Sequence, residues 1–122
     1  MPTSVSFRPL AAVLVLTVWL FDSFSTTSGG GEGATLREVL KHDTVKQVIM
    51  IEIDKGMVDM SRQYLPEWSD CSNIVGSTAS CFDDPRVTVF YQDAVAWFID
   101  NYTPGKETKA HPVLDVIIMD AL

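Results

Sequence analysis

From residue 29 onward, continuous apolar runs alternate with stretches in which apolar side chains recur every three or four residues. The continuous runs predict buried strands at Gln47–Ile53, Arg86–Tyr91 and Val113–Met119. The stretches of helical spacing predict helices at Ala34–His42, Asp54–Tyr64 and Ala94–Asn101. Because strands joined by helical crossovers run parallel, the pattern predicts an α/β fold with helices flanking a parallel sheet.

Each predicted helix has an apolar face that we expect to pack in the core. These faces are Leu36, Val39 and Leu40; Met57, Met60 and Tyr64; and Val95, Phe98 and Ile99. Asp54 stands where a side chain can cap the second helix. Glu67–Asp84 has no periodicity and several turn-forming residues, so it predicts a surface excursion. Thr103–His111 is predicted to be a loop.

The first 28 residues do not continue this pattern. Leu10–Phe21 is a twelve-residue apolar run, which as a helix spans about 18 Å and is too short for a hydrocarbon core of about 30 Å. Three interpretations stay open: a signal or targeting leader, a displaced buried strand, and foreign or misjoined sequence. Asp22–Ser28 is predicted to be a polar linker that leads into a glycine-rich segment at residues 29–33. In nucleotide-binding α/β units a strand runs directly into such glycines, so this first strand is predicted to be missing. We therefore divide the chain into residues 1–28 and 29–122.

Composition excludes some functions. The net charge of −7 argues against a nucleic-acid partner, because phosphates favour a basic surface. Cys71 and Cys81 have no further cysteine or histidine at metal-ligand spacing, so a structural zinc is not expected. The two thiols would pair in a secreted protein, but free thiols are the favoured state in a reducing compartment.

The candidate chemistry begins at a glycine-rich turn, Gly29-Gly30-Gly31-Glu32-Gly33, which opens the first predicted helix. Such a turn lets the backbone approach a ligand closely. Glu52 follows nineteen residues later at the end of a strand, where nucleotide-binding α/β folds hold ribose hydroxyls.

Three carboxylates follow successive strands: Glu52, Asp93 and Asp120. We expect them on one edge of the sheet, facing the glycine turn. An acid after a strand can also cap the next helix, and that alternative stays open for Asp93 and Asp120. An acidic crevice repels phosphate-rich dinucleotides and favours a cationic sulfonium cofactor with an amine substrate.

Four segments in this order resemble the polyamine synthases, the family of spermidine and thermospermine synthases. The segments are GGGEGATLREVLKH at 29–42, VIMIEIDKGMVDMSRQYLP at 48–66, FDDPRVTVFYQDA at 82–94 and DVIIMDAL at 115–122. The resemblance implies a partial Rossmann-like, adenosylmethionine-methyltransferase-like fold. It also implies aminopropyl transfer from decarboxylated S-adenosylmethionine to putrescine or spermidine in polyamine biosynthesis.

The resemblance assigns roles to individual residues. Gly29, Gly30, Gly31 and Gly33 would cradle decarboxylated S-adenosylmethionine, and Glu32 would lie near its aminopropyl nitrogen. Glu52 would bind the ribose, and Asp93 with Ala94 would contact the adenine amine. Asp120 would deprotonate the attacking amine. The cosubstrate would not be tightly bound, and no metal would be needed.

Departures from the family set further expectations. The family's N-terminal β-hairpin domain and later strands have no counterpart in these 122 residues, so we expect the chain alone to be inactive. The resemblance implies small-molecule polyamine and nucleoside partners, no nucleic acid and a cytoplasmic location. Full-length members are often homo-oligomers, which is not expected here. A methyltransferase and a non-enzymatic remnant of the fold are the alternatives.

Overall fold

The computed structural model describes residues 23–105 and 114–120. The regular elements in chain order are β1 Ser23–Gly29, α1 Ala34–Leu40, β2 Val45–Ile51, α2 Lys55–Tyr64, β3 Val87–Phe90, α3 Ala94–Tyr102 and β4 Val116–Asp120. Two short 3₁₀ turns, Pro66–Ser69 and Cys81–Asp83, lie between α2 and β3. The alternation of strand and helix predicted from hydrophobic periodicity is confirmed.

The strands form one four-stranded sheet in the order β3-β2-β1-β4, and all three pairings are parallel. This confirms the predicted α/β class. β1 lies in the middle, paired with β2 on one side and β4 on the other. The carboxyl ends of all four strands therefore meet at the same edge of the sheet.

The prediction that the first strand is missing is wrong, because Ser23–Gly29 forms β1. The segment resembles a linker because, Phe24 apart, it consists of small residues, most of them polar. In the structure Thr26 and Thr27 are fully buried and Ser28 is nearly so. Their backbones pair with β2 and β4, and threonine is a β-branched residue that suits a strand. Residues 23–28 thus belong to the sheet.

Two hydrophobic clusters cover the two faces of the sheet. On one face α1 and α2 pack over the strands, with Leu36, Leu40, Val48, Met50 and Val58 among the buried members. On the other face Ile49 and Ile51 lie against Trp97 of α3. The Trp97 ring meets Phe98 edge-on, with the centroids 5.2 Å apart. Residues 48–51 are therefore buried on both faces, as expected for a central strand of a parallel sheet.

The predicted core face is right for α1 and wrong for α2. For α3 it is right only at Phe98, which packs partly buried against the cluster of Trp97. Leu36, Val39 and Leu40 are buried. Met57, Met60 and Tyr64 are exposed, and α2 instead buries Val58 and Ser61. Val95 and Ile99 are also exposed, and α3 buries Trp97. Apolar residues occur on more than one side of α2 and α3, so spacing alone does not identify the side that packs on the sheet.

The excursion between α2 and β3, residues 66–84, returns to the core at both of its ends. An isolated antiparallel bridge pairs Asp70 with Ser80. Beside it Cys71 and Cys81 form a disulfide and are completely buried. The expectation of free thiols is therefore wrong for this structure. The ten-residue spacing fits a hairpin-like return of the chain, which brings the two cysteines side by side.

A buried ion pair closes the excursion. Asp84 accepts hydrogen bonds from the Arg86 guanidinium, with Nη2 3.0 Å from Oδ2, and from the Ser77 hydroxyl at 2.5 Å. Burial by itself would raise the pKa of Asp84, but the hydrogen bonds from Arg86 and Ser77 and the charge of Arg86 hold that pKa below its usual value. Arg86 also donates to the backbone carbonyls of Leu40, His42 and Val45. The pair therefore fastens the end of the excursion to the turn between α1 and β2.

The interpretations of Leu10–Phe21 lie outside the described residues, as does most of the predicted loop Thr103–His111. The division of the chain at residue 28 stays a prediction, although β1 begins before it. Within the described parts of the chain, no helix has the length and apolar character needed to cross a bilayer.

Candidate functional site

β1 runs directly into the glycine turn, which leads into α1. Gly29, Gly30 and Gly33 adopt the left-handed backbone region, with φ of 82°, 86° and 89°. The Gly33 amide donates to the Gly30 carbonyl at 2.9 Å, and the Arg37 amide donates to the Gly33 carbonyl at 3.0 Å. The glycines thus make a closed turn that passes from the sheet edge into the helix.

Two of the glycines are also required by close contacts. A Cβ atom on Gly31 would lie 3.1 Å from Glu52 Oε2, so a side chain there would press on the carboxylate. A Cβ atom on Gly33 would lie 2.5 Å from Ser69 Cβ and 2.9 Å from Phe82 Cε2. Gly31 therefore borders the candidate site, whereas Gly33 rests on the excursion.

The three strand-end carboxylates meet at one cavity, as predicted. Glu52 follows β2, Asp93 precedes α3, and Asp120 ends β4. The cavity has a volume of about 540 Å³. Its lining consists of Ser28, Gly29, Gly30, Gly31, Glu32, Ile51, Glu52, Ile53, Met57, Gln92, Asp93, Ala94, Val95 and Asp120. Of the predicted site residues, only Gly33 is not among them.

Glu52 is held in a fixed position at the end of β2. The residue is 8% exposed. Its Oε1 atom accepts a hydrogen bond from the Asp54 amide at 3.0 Å. The other oxygen, Oε2, is the atom that approaches Gly31. One carboxylate oxygen is thus anchored to the backbone while the other lies beside the glycine turn.

Asp93 both caps a helix and lines the candidate site, the two alternatives that its sequence position left open. Its Oδ1 accepts a hydrogen bond from the Ala96 amide at 2.9 Å and so caps α3. The same residue is exposed and lines the cavity. Asp54 caps α2 through the Met57 amide at 3.0 Å, which confirms that prediction.

Asp120 is a hydrogen-bond partner of α1. The Thr35 hydroxyl donates to Asp120 Oδ2 at 2.7 Å. Gly30 borders the same oxygen, because a Cβ atom there would lie 3.2 Å from it. Sequence reasoning missed Thr35; its place two residues after the glycine turn is the signal that could have identified it.

Sequence reasoning also missed the apolar wall of the cavity. Ile53, Met57 and Val95 all line it, and their side chains are largely exposed. Met57 and Val95 had been predicted as core residues. Ile53 directly follows Glu52, and Val95 lies two residues after Asp93, so adjacency to the predicted acids was the available signal. The cavity thus combines an apolar wall with a set of carboxylates.

The charge of the cavity is negative. Glu32, Glu52, Asp93 and Asp120 border it, and its described lining includes no lysine, arginine or histidine. A concentration of carboxylates in a concave site favours cationic ligands. In the described parts of the chain, no three or more histidine, cysteine or acidic side chains are grouped so that they could hold a metal ion.

A parallel sheet with a glycine turn and strand-end acids at its carboxyl edge defines a nucleotide-binding type of α/β protein. The family profile of the spermine/spermidine synthase domain matches residues 28–122. The chain belongs to this family.

Curated relatives agree with that assignment. Polyamine aminopropyltransferase 1 of Hyperthermus butylicus is 44% identical over 92 residues, which cover 75% of this chain and 26% of that protein. A polyamine aminopropyltransferase of Pyrobaculum calidifontis is 45% identical over 92 residues, covering 75% and 27%. The chain therefore spans about a quarter of the length of these relatives.

Solved structures share the fold. Spermidine synthase from Thermotoga maritima aligns with a TM-score of 0.60 and 31% identity, covering 82% of this chain and 29% of that one. A spermidine synthase in complex with the transition state analogue AdoDATO aligns with the same score and identity, covering 82% and 28%. The Rossmann-like methyltransferase fold implied by the four sequence segments is confirmed.

Proposed function

We propose that this chain supplies the cosubstrate site of a polyamine aminopropyltransferase, which transfers an aminopropyl group from decarboxylated S-adenosylmethionine to putrescine or spermidine. One observation carries the proposal. Four carboxylates and the glycine turn border a single cavity with an apolar wall. The family membership and the names of the relatives support the same reaction. The methyltransferase alternative finds no support among them.

The cavity offers a partner for each part of the nucleoside. Glu52 would accept hydrogen bonds from the ribose hydroxyls, since its Oε1 is already fixed by the Asp54 amide. Ile53 and Val95 would enclose the adenine ring, and Asp93 with Ala94 would meet its amino group. Glycine residues at positions 29–31 leave room for the chain that links the ribose to the sulfonium.

The negative charge of the cavity fits the charge of this cosubstrate. Decarboxylated S-adenosylmethionine carries a positive sulfonium and a positive ammonium group, and the methylthioadenosine left after transfer is neutral. We propose that Glu32 lies near the ammonium group. The site would therefore hold the cosubstrate more tightly than the nucleoside product, and added salt would reduce that difference.

Asp120 is proposed as the general base. The amine nitrogen attacks the aminopropyl carbon next to the sulfonium, and the carbon–sulfur bond breaks with its electron pair moving to sulfur. The proton lost by the amine passes to Asp120. Thr35 holds Oδ2 of Asp120 at 2.7 Å, so Oδ1 would be the oxygen presented to the amine.

Binding is the property that the described residues can test directly, because the chain spans about a quarter of its relatives. Isothermal titration calorimetry of the purified chain should detect decarboxylated S-adenosylmethionine and weaker binding of methylthioadenosine. Loss of a hydrogen bond to a charged group costs about 1.5–3 kcal/mol, so Glu52→Gln should weaken binding roughly tenfold to a hundredfold. Glu67→Gln is the matched control, since Glu67 is exposed and lies outside the cavity. Equal affinities for all three proteins would refute the assignment of Glu52.

A further inference from the structure

The excursion, residues 66–84, is the surface on which the glycine turn rests. Ser69 and Phe82 lie against Gly33 so closely that a Cβ atom there would meet both at under 3 Å. Gly33 in turn closes the turn by its hydrogen bond to the Gly30 carbonyl. A displacement of Ser69 or Phe82 would therefore remove the support behind the loop that borders the cavity.

The disulfide lies between these two contacts along the chain. Ser69 precedes Cys71 by two residues, and Phe82 directly follows Cys81. Both cysteines are fully buried with Leu36 and Val39 in the cluster beneath α1. The covalent bond thus joins the two ends of the excursion near their contacts with the glycine turn.

The excursion has both buried and exposed connections to the domain. The buried ones include the Asp84–Arg86 ion pair and the packing of Phe82 in the core. The Arg37 side chain donates to the Glu67 carbonyl at 3.2 Å, and Arg62 pairs with Asp83 at 2.7 Å. Exposed interactions of this kind contribute little to stability. Within the segment between the cysteines, a backbone hydrogen bond from the Cys71 amide to the Ala79 carbonyl accompanies the Asp70–Ser80 bridge. The disulfide is the covalent link between the segments that carry Ser69 and Phe82.

We propose that the redox state of the Cys71–Cys81 disulfide controls the affinity of the cosubstrate site, a regulation that rests on the proposed function. With the disulfide formed, the excursion supports Gly33 and the turn keeps its binding geometry. With the disulfide reduced, the excursion loosens and cosubstrate binding weakens. The reductant is a dithiol, either a small molecule or a thioredoxin-like protein.

The chemistry balances as an ordinary thiol–disulfide exchange. A thiolate of the reductant attacks one sulfur and forms a mixed disulfide, and its second thiol displaces that sulfur. Two electrons and two protons pass to Cys71 and Cys81, and the reductant leaves as a disulfide. Because both sulfurs are buried, attack requires the excursion to open. Val75, at its tip, is fully exposed.

Coupling of this kind is reciprocal, so bound cosubstrate must also protect the disulfide. Calorimetry on the full chain, before and after reduction by dithiothreitol, should show binding of decarboxylated S-adenosylmethionine weakened by about tenfold or more. Reoxidation should restore it. The Cys71→Ser/Cys81→Ser double variant should bind as the reduced protein does and should not respond to dithiothreitol. Saturating cosubstrate should slow the reduction of the wild-type disulfide.

Hydrogen exchange distinguishes failure of this proposal from failure of the proposed function. If the oxidised chain binds no cosubstrate, the proposed function fails, but reduction should still accelerate amide exchange at residues 30–37. Unchanged amide exchange at these residues in a folded, reduced protein would overturn the proposed redox control. Equal affinities of the oxidised and reduced proteins for the cosubstrate would also overturn it. A reduced chain that loses its whole fold would also overturn it, because the disulfide would then stabilise the entire domain.

Discussion

Replacement of Gly33 by alanine should destabilise the fold more than the same replacement at another glycine of like backbone conformation. At φ 89° an alanine pays about 1–2 kcal/mol for the left-handed conformation. Its Cβ atom would also lie 2.5 Å from Ser69 Cβ and 2.9 Å from Phe82 Cε2. Accommodating such an extra atom in a packed region costs about 1–3 kcal/mol of stability. The free energy of unfolding should therefore fall by about 2–5 kcal/mol, a large part of the stability of a small domain.

Gly76→Ala provides the matched control. Gly76 has φ 80°, but a Cβ atom there would meet nothing within 4 Å. Its replacement should cost only the conformational part, about 1–2 kcal/mol. Urea unfolding of the two oxidised variants, followed by circular dichroism under the same conditions, measures the difference. Equal losses in the two variants would show that Ser69 and Phe82 yield freely and that the excursion does not support the glycine turn.

Three further predictions test the surroundings of the site. In the same urea assay, Thr35→Val should lower the free energy of unfolding by about 1.5–3 kcal/mol because Asp120 loses its hydrogen-bond donor. Thr35→Ser keeps a hydroxyl donor and should retain most of the wild-type free energy of unfolding. The pKa of Asp84 is held below its usual value, so its charged form stabilises the fold fully above a pH of about 4. This stabilisation is lost as the pH falls through the folded pKa. Arg86→Gln should flatten the pH dependence of thermal unfolding between about pH 2 and 6, and a curve parallel to that of the wild type would contradict this prediction. Gly31→Ala should weaken binding of decarboxylated S-adenosylmethionine in calorimetry, because the new Cβ atom would lie 3.1 Å from Glu52 Oε2, while an unchanged dissociation constant would show that the turn adapts.

The sheet and the meeting of the strand-end acids were predictable because both follow from simple rules. Continuous apolar runs define buried parallel strands, and parallel strands end at one edge. The sequence positions of Glu52, Asp93 and Asp120 therefore place the three carboxylates at one edge of the sheet. Their functional roles stay predictions.

The errors arose where packing overrides local pattern. β1 was missed because its place in the sheet depends on backbone pairing with β2 and β4, which the polar sequence does not reveal. The outward side of α2 was mistaken for a core face because Met57 has apolar spacing but lines the cavity. The pairing of Cys71 with Cys81 depends on the return of the excursion, which has no periodic signal.

Mapping the bound cosubstrate on the chain itself tests the proposed nucleoside site most directly. Backbone amide signals of the ¹⁵N-labelled, oxidised chain should be followed by NMR during titration with decarboxylated S-adenosylmethionine. The largest shifts are expected at residues 29–33, at Glu52 and at Ala94, with little change at Val75 or Gly76 on the far tip of the excursion. Shifts centred on the excursion, with the glycine turn unmoved, would contradict the assignment of the cavity as the nucleoside site.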